Sequence, residues 1–336
     1  MKTRALGRSG IAVSAVGLGC NSLGGRIDRE ASRQVVHRAL DLGITFFDTA
    51  NTYGNRYGAV GGSERCLGEL LGERRKEVVL ATKFGCQSHK HESIPLEGAS
   101  PSEIMAAVHA SLKRLNTDWI DLYQLHHPDP HTPMEETLRA LDDLVQQGKV
   151  RVIGCSNFSA PQLADAQRTA AHLGVSGFTT CQREYSVLSP SIRADLIPAM
   201  EAHGVSLLPY YPLAAGLLTG KYTHGSVPEG SRLATQRRLS ERFLSDEHLA
   251  AAARLERYSA RHGRMLLELA FGWLLAQPVV STVIAGATSA DQVTANVKAA
   301  MWNLTPQQMA EIDDLIDEQA TADTRDSCIT PTGGLQ

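Results

Sequence analysis

Four side chains of different acidity close or follow apolar runs in this chain, and together they could make a tuned proton donor. Asp48 ends "ITFFD", Lys83 ends "VVLATK", His126 and His127 end "DLYQLHH", and Tyr53 follows Asp48 by five positions in "FFDTANTYG". A tyrosine alone, with an ordinary pKa of about 10, gives up its proton reluctantly at neutral pH. A lysine ammonium beside it can stabilise the phenolate left behind, and a carboxylate paired with that lysine offsets the cost of burying it. An imidazole can donate or relay a proton from the other side. The set suits protonation of a carbonyl oxygen while something else adds to the carbon. Singly, each has a plainer reading: Asp48 as a turn or N-cap residue, Lys83 as a solvated strand end, His126 as a packing histidine, Tyr53 as an amphipathic cover.

These positions act together only if the elements bearing them converge. Apolar, β-rich runs occur at Val16–Gly19, Ile44–Thr49, Val78–Lys83, Ile120–His126, Arg151–Ser156, Phe178–Glu184, Val205–Tyr210 and Ser281–Ala285, separated by segments of helical period. That alternation is the mark of repeated βα units, and eight units suit an α/β fold of the (β/α)8 TIM-barrel class. We expect one barrel domain over residues 1–336, with an N-terminal β-hairpin around Arg8-Ser9-Gly10 plugging the barrel bottom and extra C-terminal helices. From about residue 320 the polar, aperiodic sequence reads as a flexible tail. "SPSEIMAAVHASLKRL" has Ser100 as N-cap, Pro101 at N1 and Glu103 at N3, and "TPMEETLRALDDLVQQG" predicts a helix from Thr132 that ends at Gly148. Pro212 to Ser245 has no clear period and is expected to form a loop over the site.

The active site of such a barrel lies at the carboxyl ends of its strands. Alternation puts Lys83 on the face of Val79 and Ala81, and His126 on that of Leu122 and Gln124, which favours His126 over His127 as the inward group. The fifth run ends in Ser156 and Asn157, two further polar groups on the same rim.

With 336 residues, 43% hydrophobic and 21% charged, the composition is that of a soluble globular protein and excludes a disordered or fibrous chain. A net charge of -3 gives no reason to expect nucleic acid or an anionic membrane as partner, which leaves a small molecule. No run approaches the roughly 20 apolar residues of a membrane span, and the first residues lack the apolar core of a signal peptide. Cys20, Cys66, Cys86, Cys155, Cys181 and Cys328 show no zinc-type spacing and read as reduced thiols of a cytoplasmic protein. His89 and His91 in "SHKHES" form an HxH with no third convergent ligand. "GLGCNSLGG" has the wrong spacing for a phosphate-binding turn and reads as a loop lining the substrate pocket.

On these residues the sequence resembles the aldo-keto reductase family, nearer to its potassium-channel β-subunit-like branches than to the mammalian aldose reductase branch. "GITFFDTANTYG" is similar to the family's Asp and Tyr stretch, "VVLATKFG" to its Lys strand and "IDLYQLHHPD" to its His strand, within a resemblance running from about Leu6 to about Leu315. The resemblance implies a barrel that binds an extended NADP(H), with NAD(H) as the other candidate, and reduces aldehydes or ketones. It makes Tyr53 the proton donor, gives Lys83 and Asp48 the task of lowering its pKa, and has His126 complete the relay or orient the carbonyl. It also implies cofactor contacts. Gly19, Cys20 and Asn21 would join Asp48 near the first strand, and Ser156, Asn157 and Gln182 would hold the nicotinamide carboxamide. Tyr210 would stack on the ring with Tyr211 beside it, and Pro212, Leu213, Ala214, Gly216, Leu218 and Lys221 would cover the pyrophosphate with Arg232 as a further cation. Gly286, Thr288, Gln292 and Asn296 would meet the adenosine 2′-phosphate, aided by a helix N-terminus near Ser289. Gly286 and Gln292 stand where the mammalian branch has a lysine and an arginine.

Asn21, Asn55, Tyr57 and Tyr211 are the candidate substrate-pocket residues, suited to a small sugar-like, aliphatic or aromatic carbonyl compound or its alcohol. Nothing in the sequence specifies an oligomeric partner. Two other functions fit parts of the pattern: a nicotinamide-binding regulatory subunit with little turnover, and an aldolase with Lys83 as its Schiff-base lysine. The channel β subunits replace the relay histidine, whereas His126 is present here.

Overall fold

In the computed structural model, which describes residues 1–54, 60–86, 98–222 and 226–326 (backbone alone from 317), β1 (Thr3–Ala5) and β2 (Ala12–Ser14) form an antiparallel hairpin. The barrel strands are β3 (Val16–Gly19), β4 (Phe46–Asp48), β5 (Val79–Phe84), β6 (Ile120–Leu125), β7 (Val150–Ser156), β8 (Thr180–Glu184), β9 (Ser206–Tyr210) and β10 (Val283–Gly286). The helices between β3 and β9 are α1 (Arg29–Asp41), α2 (Gly62–Leu71), α3 (Pro101–Leu115), α4 (Met134–Gln146), α5 (Ala160–Leu173) and α6 (Leu196–His203). All eight expected runs contain a strand, and the sheet order is β10-β3-β4-β5-β6-β7-β8-β9, parallel throughout. Closure comes just ahead of β10, where Leu207 N–H donates to Val279 O (2.7 Å) and Ser281 N–H to Leu207 O (3.1 Å). The architecture is a (β/α)8 barrel with an N-terminal hairpin.

Side-chain alternation divides the apolar residues into two cores. Phe46, Val79, Ala81, Leu122, Leu208 and Ile284 fill the barrel interior together with Leu6, Ile11 and Val13 of the hairpin segment, which closes one end. Phe47, Leu80, Tyr123, Leu125, Cys155, Cys181 and Leu207 face outward into the layer shared with the helices. Asp48, Lys83 and Gln124 therefore sit in the inward rows of β4, β5 and β6, above the apolar plug.

Local signals place most helix ends. Ser100 caps α3 in a reciprocal box with Glu103, and Ser159 does the same for α5 with Gln162. The α4 start differs from the expected one. Thr132 Oγ1 donates to Asp129 Oδ2 (2.7 Å) instead of capping, and Pro133 at φ -55°, ψ 135° is not helical, so the helix begins at Met134. The segment Pro212 to Ser245 is not structureless. It contains a 3-10 turn (Ala214–Thr219), α7 (Arg232–Thr235) and α8 (Arg237–Phe243), each too short to show a period. After α9 (Asp246–Arg261), α10 (Leu266–Leu275) and β10 come α11 (Ala290–Ala299) and α12 (Pro306–Asp326). The last helix runs to Asp326, past residue 320, where a tail was expected from the end of the apolar periodicity. Among the described residues no helix is long and apolar enough to cross a membrane.

Glycines lock together the loops after β3 and β4. A Cβ on Gly54 (φ +79°) would lie 2.5 Å from Ser63 N and 2.7 Å from Leu23 O, and one on Gly24 would lie 2.6 Å from Gly62 O. Backbone thus packs on backbone, and Ser63 N–H donates to Tyr53 O (3.0 Å), pinning the residue that precedes Gly54. Gly54→Ala must accept a left-handed φ and a backbone clash. We expect it to destabilise the fold by at least about 1–3 kcal/mol, read as a lower urea midpoint with an unchanged slope.

Candidate active site

Lys83 lies at the centre of the barrel mouth, fully buried. Its ammonium uses all three donors: to Asp48 Oδ2 (2.7 Å), to Thr49 O (2.9 Å) and to the Tyr53 hydroxyl (3.3 Å). It also sits 4.7 Å from the Tyr53 ring centroid. The second Asp48 oxygen, Oδ1, accepts from Gln182 Nε2 (2.9 Å) and Gln124 Nε2 (3.2 Å). Three strands thus fix the carboxylate of a fourth. His126 follows β6, its N–H donating to Phe84 O (2.8 Å), and its ring meets Tyr53 edge-on with centroids 6.1 Å apart. The four residues singled out first in the sequence are brought together.

Burial and charge set their protonation. Burial works against the Lys83 charge, but Asp48 and Tyr53 outweigh it and hold Lys83 above the ordinary lysine range. Such a lysine is a poor Schiff-base nucleophile, which counts against the aldolase reading. Tyr53 departs from expectation. Burial raises its pKa, the Lys83 charge pulls it down, and Asp48 pushes it up again, for a net rise. Asp48 therefore serves the tyrosine only through Lys83, and the phenol keeps its proton at neutral pH. His126 is held well below the usual histidine range by burial, then by the Lys83 and His127 charges, and is a neutral imidazole at pH 7.

These groups open on a cavity of about 1400 Å³, larger than the few hundred to about 1,000 Å³ that holds a drug-sized ligand. Asp48, Tyr53, His126 and also His127 line it. So do Gly19, Asn21, Ser156, Asn157, Gln182, Tyr210, Tyr211, Pro212, Leu213, Gly216, Lys221, Arg232, Gly286, Thr288, Gln292 and Asn296. Cys20, Ala214 and Leu218 do not: each is fully buried in the outer core, Cys20 with its thiol against Leu18 O (3.5 Å). The alternation that turns Gly19 and Asn21 to the cavity turns Cys20 away. Asn55, Tyr57, His89, His91 and Cys328 lie outside the described residues.

Polar groups are preset along the cavity. Asn157 takes a left-handed φ of 64°. Its Nδ2 donates to His126 O (2.9 Å) and Ser156 Oγ (3.2 Å), and its Oδ1 accepts from the Tyr210 hydroxyl (3.0 Å). Further along, Arg232 covers the Tyr211 ring at 5.1 Å, and its Nε is buried with no hydrogen-bond partner among the described residues. An orphaned guanidinium donor in so large a cavity fits an anionic, extended ligand such as a dinucleotide. At the far end Ser289 caps α11, and Gln292 Oε1 accepts from Thr288 N–H (2.9 Å).

Sequence reasoning missed several residues in and around the site. Gln124 left a signal, an amide at an inward position of an otherwise apolar strand. Arg26, whose guanidinium donates to Gly230 O (3.3 Å) across the mouth, left none, because its partner is 204 residues away. Arg237, Arg238 and Arg242 also line the cavity from α8.

A (β/α)8 barrel carrying an Asp–Lys–Tyr–His group at its carboxyl rim defines a class of barrel oxidoreductases. The family model described as "Aldo/keto reductase family" matches residues 15–317, and the chain belongs to that family. Its relatives include a probable voltage-gated potassium channel subunit beta of Oryza sativa subsp. japonica, 34% identical over 94% of this chain and 97% of its own length. Others are Aldo-keto reductase YhdN of Bacillus subtilis (33% identical, 94% of each chain) and L-glyceraldehyde 3-phosphate reductase of Escherichia coli K12 (32% identical, 93% of this chain and 92% of its own). The family's members generally bind NAD(P)H.

Two outcomes follow from the electrostatics. Lys83→Met leaves Asp48 buried without its counter-charge, and we expect a loss of about 3–5 kcal/mol in chemical denaturation. His126 should stay neutral in an NMR titration well below pH 6.5. Because its folded pKa is lowered, its contribution to stability is present above about pH 6.5 and is lost as pH falls toward the folded value.

Proposed function

We propose that the protein, acting as one barrel domain, reduces aldehydes or ketones to alcohols with NADP(H), and that Tyr53 is the proton donor. The observation that carries this is a protonated phenol on the cavity wall, 3.3 Å from the ammonium that can stabilise its conjugate base. A bound reduced nicotinamide supplies the hydride that adds to the carbonyl carbon. Tyr53 gives its proton to the carbonyl oxygen, and Lys83 stays charged and stabilises the phenolate. Asp48, Gln124 and Gln182 hold Lys83 in place. His126, as a neutral imidazole, offers an N–H to the same oxygen.

Ser156, Asn157 and Gln182 would hold the carboxamide, since bonding both ends of an amide selects one ring face. Lys221, Arg232 and Arg26 would meet the phosphates. Cations on the cavity wall favour NADP(H) over NAD(H), although Arg237 and Arg242 are already paired with Glu241 and Glu184. Cys20, Cys66, Cys86, Cys155 and Cys181 are free, buried thiols, which accords with a cytoplasmic location.

A panel of aldehydes and ketones assayed with NADPH and NADH tests the reading. Tyr53→Phe should lower kcat by about 10²–10⁴-fold with cofactor affinity nearly unchanged, and full turnover in that variant would sink the assignment. The similarity to proteins named as potassium-channel β subunits supports a second reading, a nicotinamide-binding regulatory subunit. Tight cofactor binding with turnover orders of magnitude below about 1 s⁻¹ on every carbonyl would favour it.

A further inference from the structure

We propose that Cys86, His126 and His127 form an inhibitory binding site for a borderline-soft divalent cation, with Zn²⁺ the ion their donor set suits. The site is built by the barrel. His126 N–H donates to Phe84 O (2.8 Å), which ties the end of β6 to the end of β5 and brings Cys86, two residues on, beside the histidine pair. Cys86 Sγ and one ring nitrogen from each histidine lie within 4.8 Å of one another. Cys86 is a free, buried thiol. The Nδ1 atoms of His126 and His127 are both buried with no hydrogen-bond partner among the described residues, an expensive state that a metal ion would relieve.

One sulfur and two imidazoles select Zn²⁺ over Mg²⁺ or Ca²⁺, and three protein ligands leave a fourth position for water. The rings now stack, with centroids 4.8 Å apart and planes 19° from parallel. Their lone pairs lie in the ring planes, so one imidazole must rotate before both reach a single ion. Binding converts the Cys86 thiol to a metal thiolate and releases one proton to solvent. Because His126 and His127 both line the cavity, the ion and its bound water take up space there that a carbonyl compound would use. The ion therefore competes with the carbonyl compound and leaves cofactor affinity unchanged.

Zinc X-ray absorption on the full-length wild-type protein loaded with one equivalent of Zn²⁺ should show one sulfur at about 2.3 Å and nitrogens at about 2.0–2.1 Å. A shell of oxygen and nitrogen alone would overturn the site. Co²⁺ should give a thiolate charge-transfer band that is lost in Cys86→Ser. Zn²⁺ affinity should fall at least about tenfold in both Cys86→Ser and His127→Gln, and unchanged affinity in both would refute the proposal. These binding readouts stand or fall independently of the reductase assignment. In the reductase assay, Zn²⁺ should raise the KM for the carbonyl compound reversibly, with chelator restoring it.

Discussion

A fully buried ammonium is tolerable only with a carboxylate in contact and its remaining protons bonded, and the barrel mouth is organised around that requirement at Lys83. Asp48 is 2.7 Å away on the adjacent strand, and the Thr49 carbonyl and the Tyr53 hydroxyl take the other two protons. The second Asp48 oxygen is in turn held by amides from β6 and β8. Strands far apart in the chain thereby share one polar network above an apolar plug. Such a network is costly when one member is missing and rigid when complete.

That rigidity sets the protonation of its neighbours. The desolvation that makes the ion pair necessary also raises the Tyr53 pKa and lowers that of His126, so both stay neutral near pH 7. The charge of Lys83 acts on them in a low-dielectric setting, where it favours a phenolate whenever one forms. In the proposed reaction, the donor would keep its proton until the phenolate it leaves is stabilised. Depressing the resting pKa of Tyr53 is not required for this.

The long cavity beside the mouth depends on strain elsewhere. Asn157, Tyr211, Ala214 and Ala215 all take left-handed φ values, which cost of order 1–3 kcal/mol each and persist only where surrounding contacts impose them. Asn157 is held by His126 O, Ser156 and Tyr210, while Tyr211 lies between Phe243 and the Arg232 guanidinium. Arg26 reaches across to Gly230, so loops following two different strands meet over the opening. The backbone in these loops is shaped by its walls, and no local propensity would have chosen it.

Much of this was legible in the sequence. Short, near-continuous apolar runs located every barrel strand, because a parallel sheet covered by helices is buried on both faces. Alternation within those runs predicted which way Lys83 faces but not that His127 lines the cavity beside His126, and the Ser100–Glu103 box marked a helix start. Side-chain hydrogen bonds moved the start of α4, and α12 outlasted its apolar pattern. The family resemblance put Cys20 on the cofactor wall with Gly19 and Asn21, whereas alternation along the chain turns its side chain into the outer core. What the chain determined by itself was the barrel and the types of groups on its rim, since both follow from local periodicity. Tertiary structure alone decided that Gln124 and Gln182 share Asp48, that Tyr53 is raised and not lowered, and that Cys86 meets His126 and His127. Those outcomes depend on distances between residues far apart in sequence and on how much water the closed barrel leaves around them.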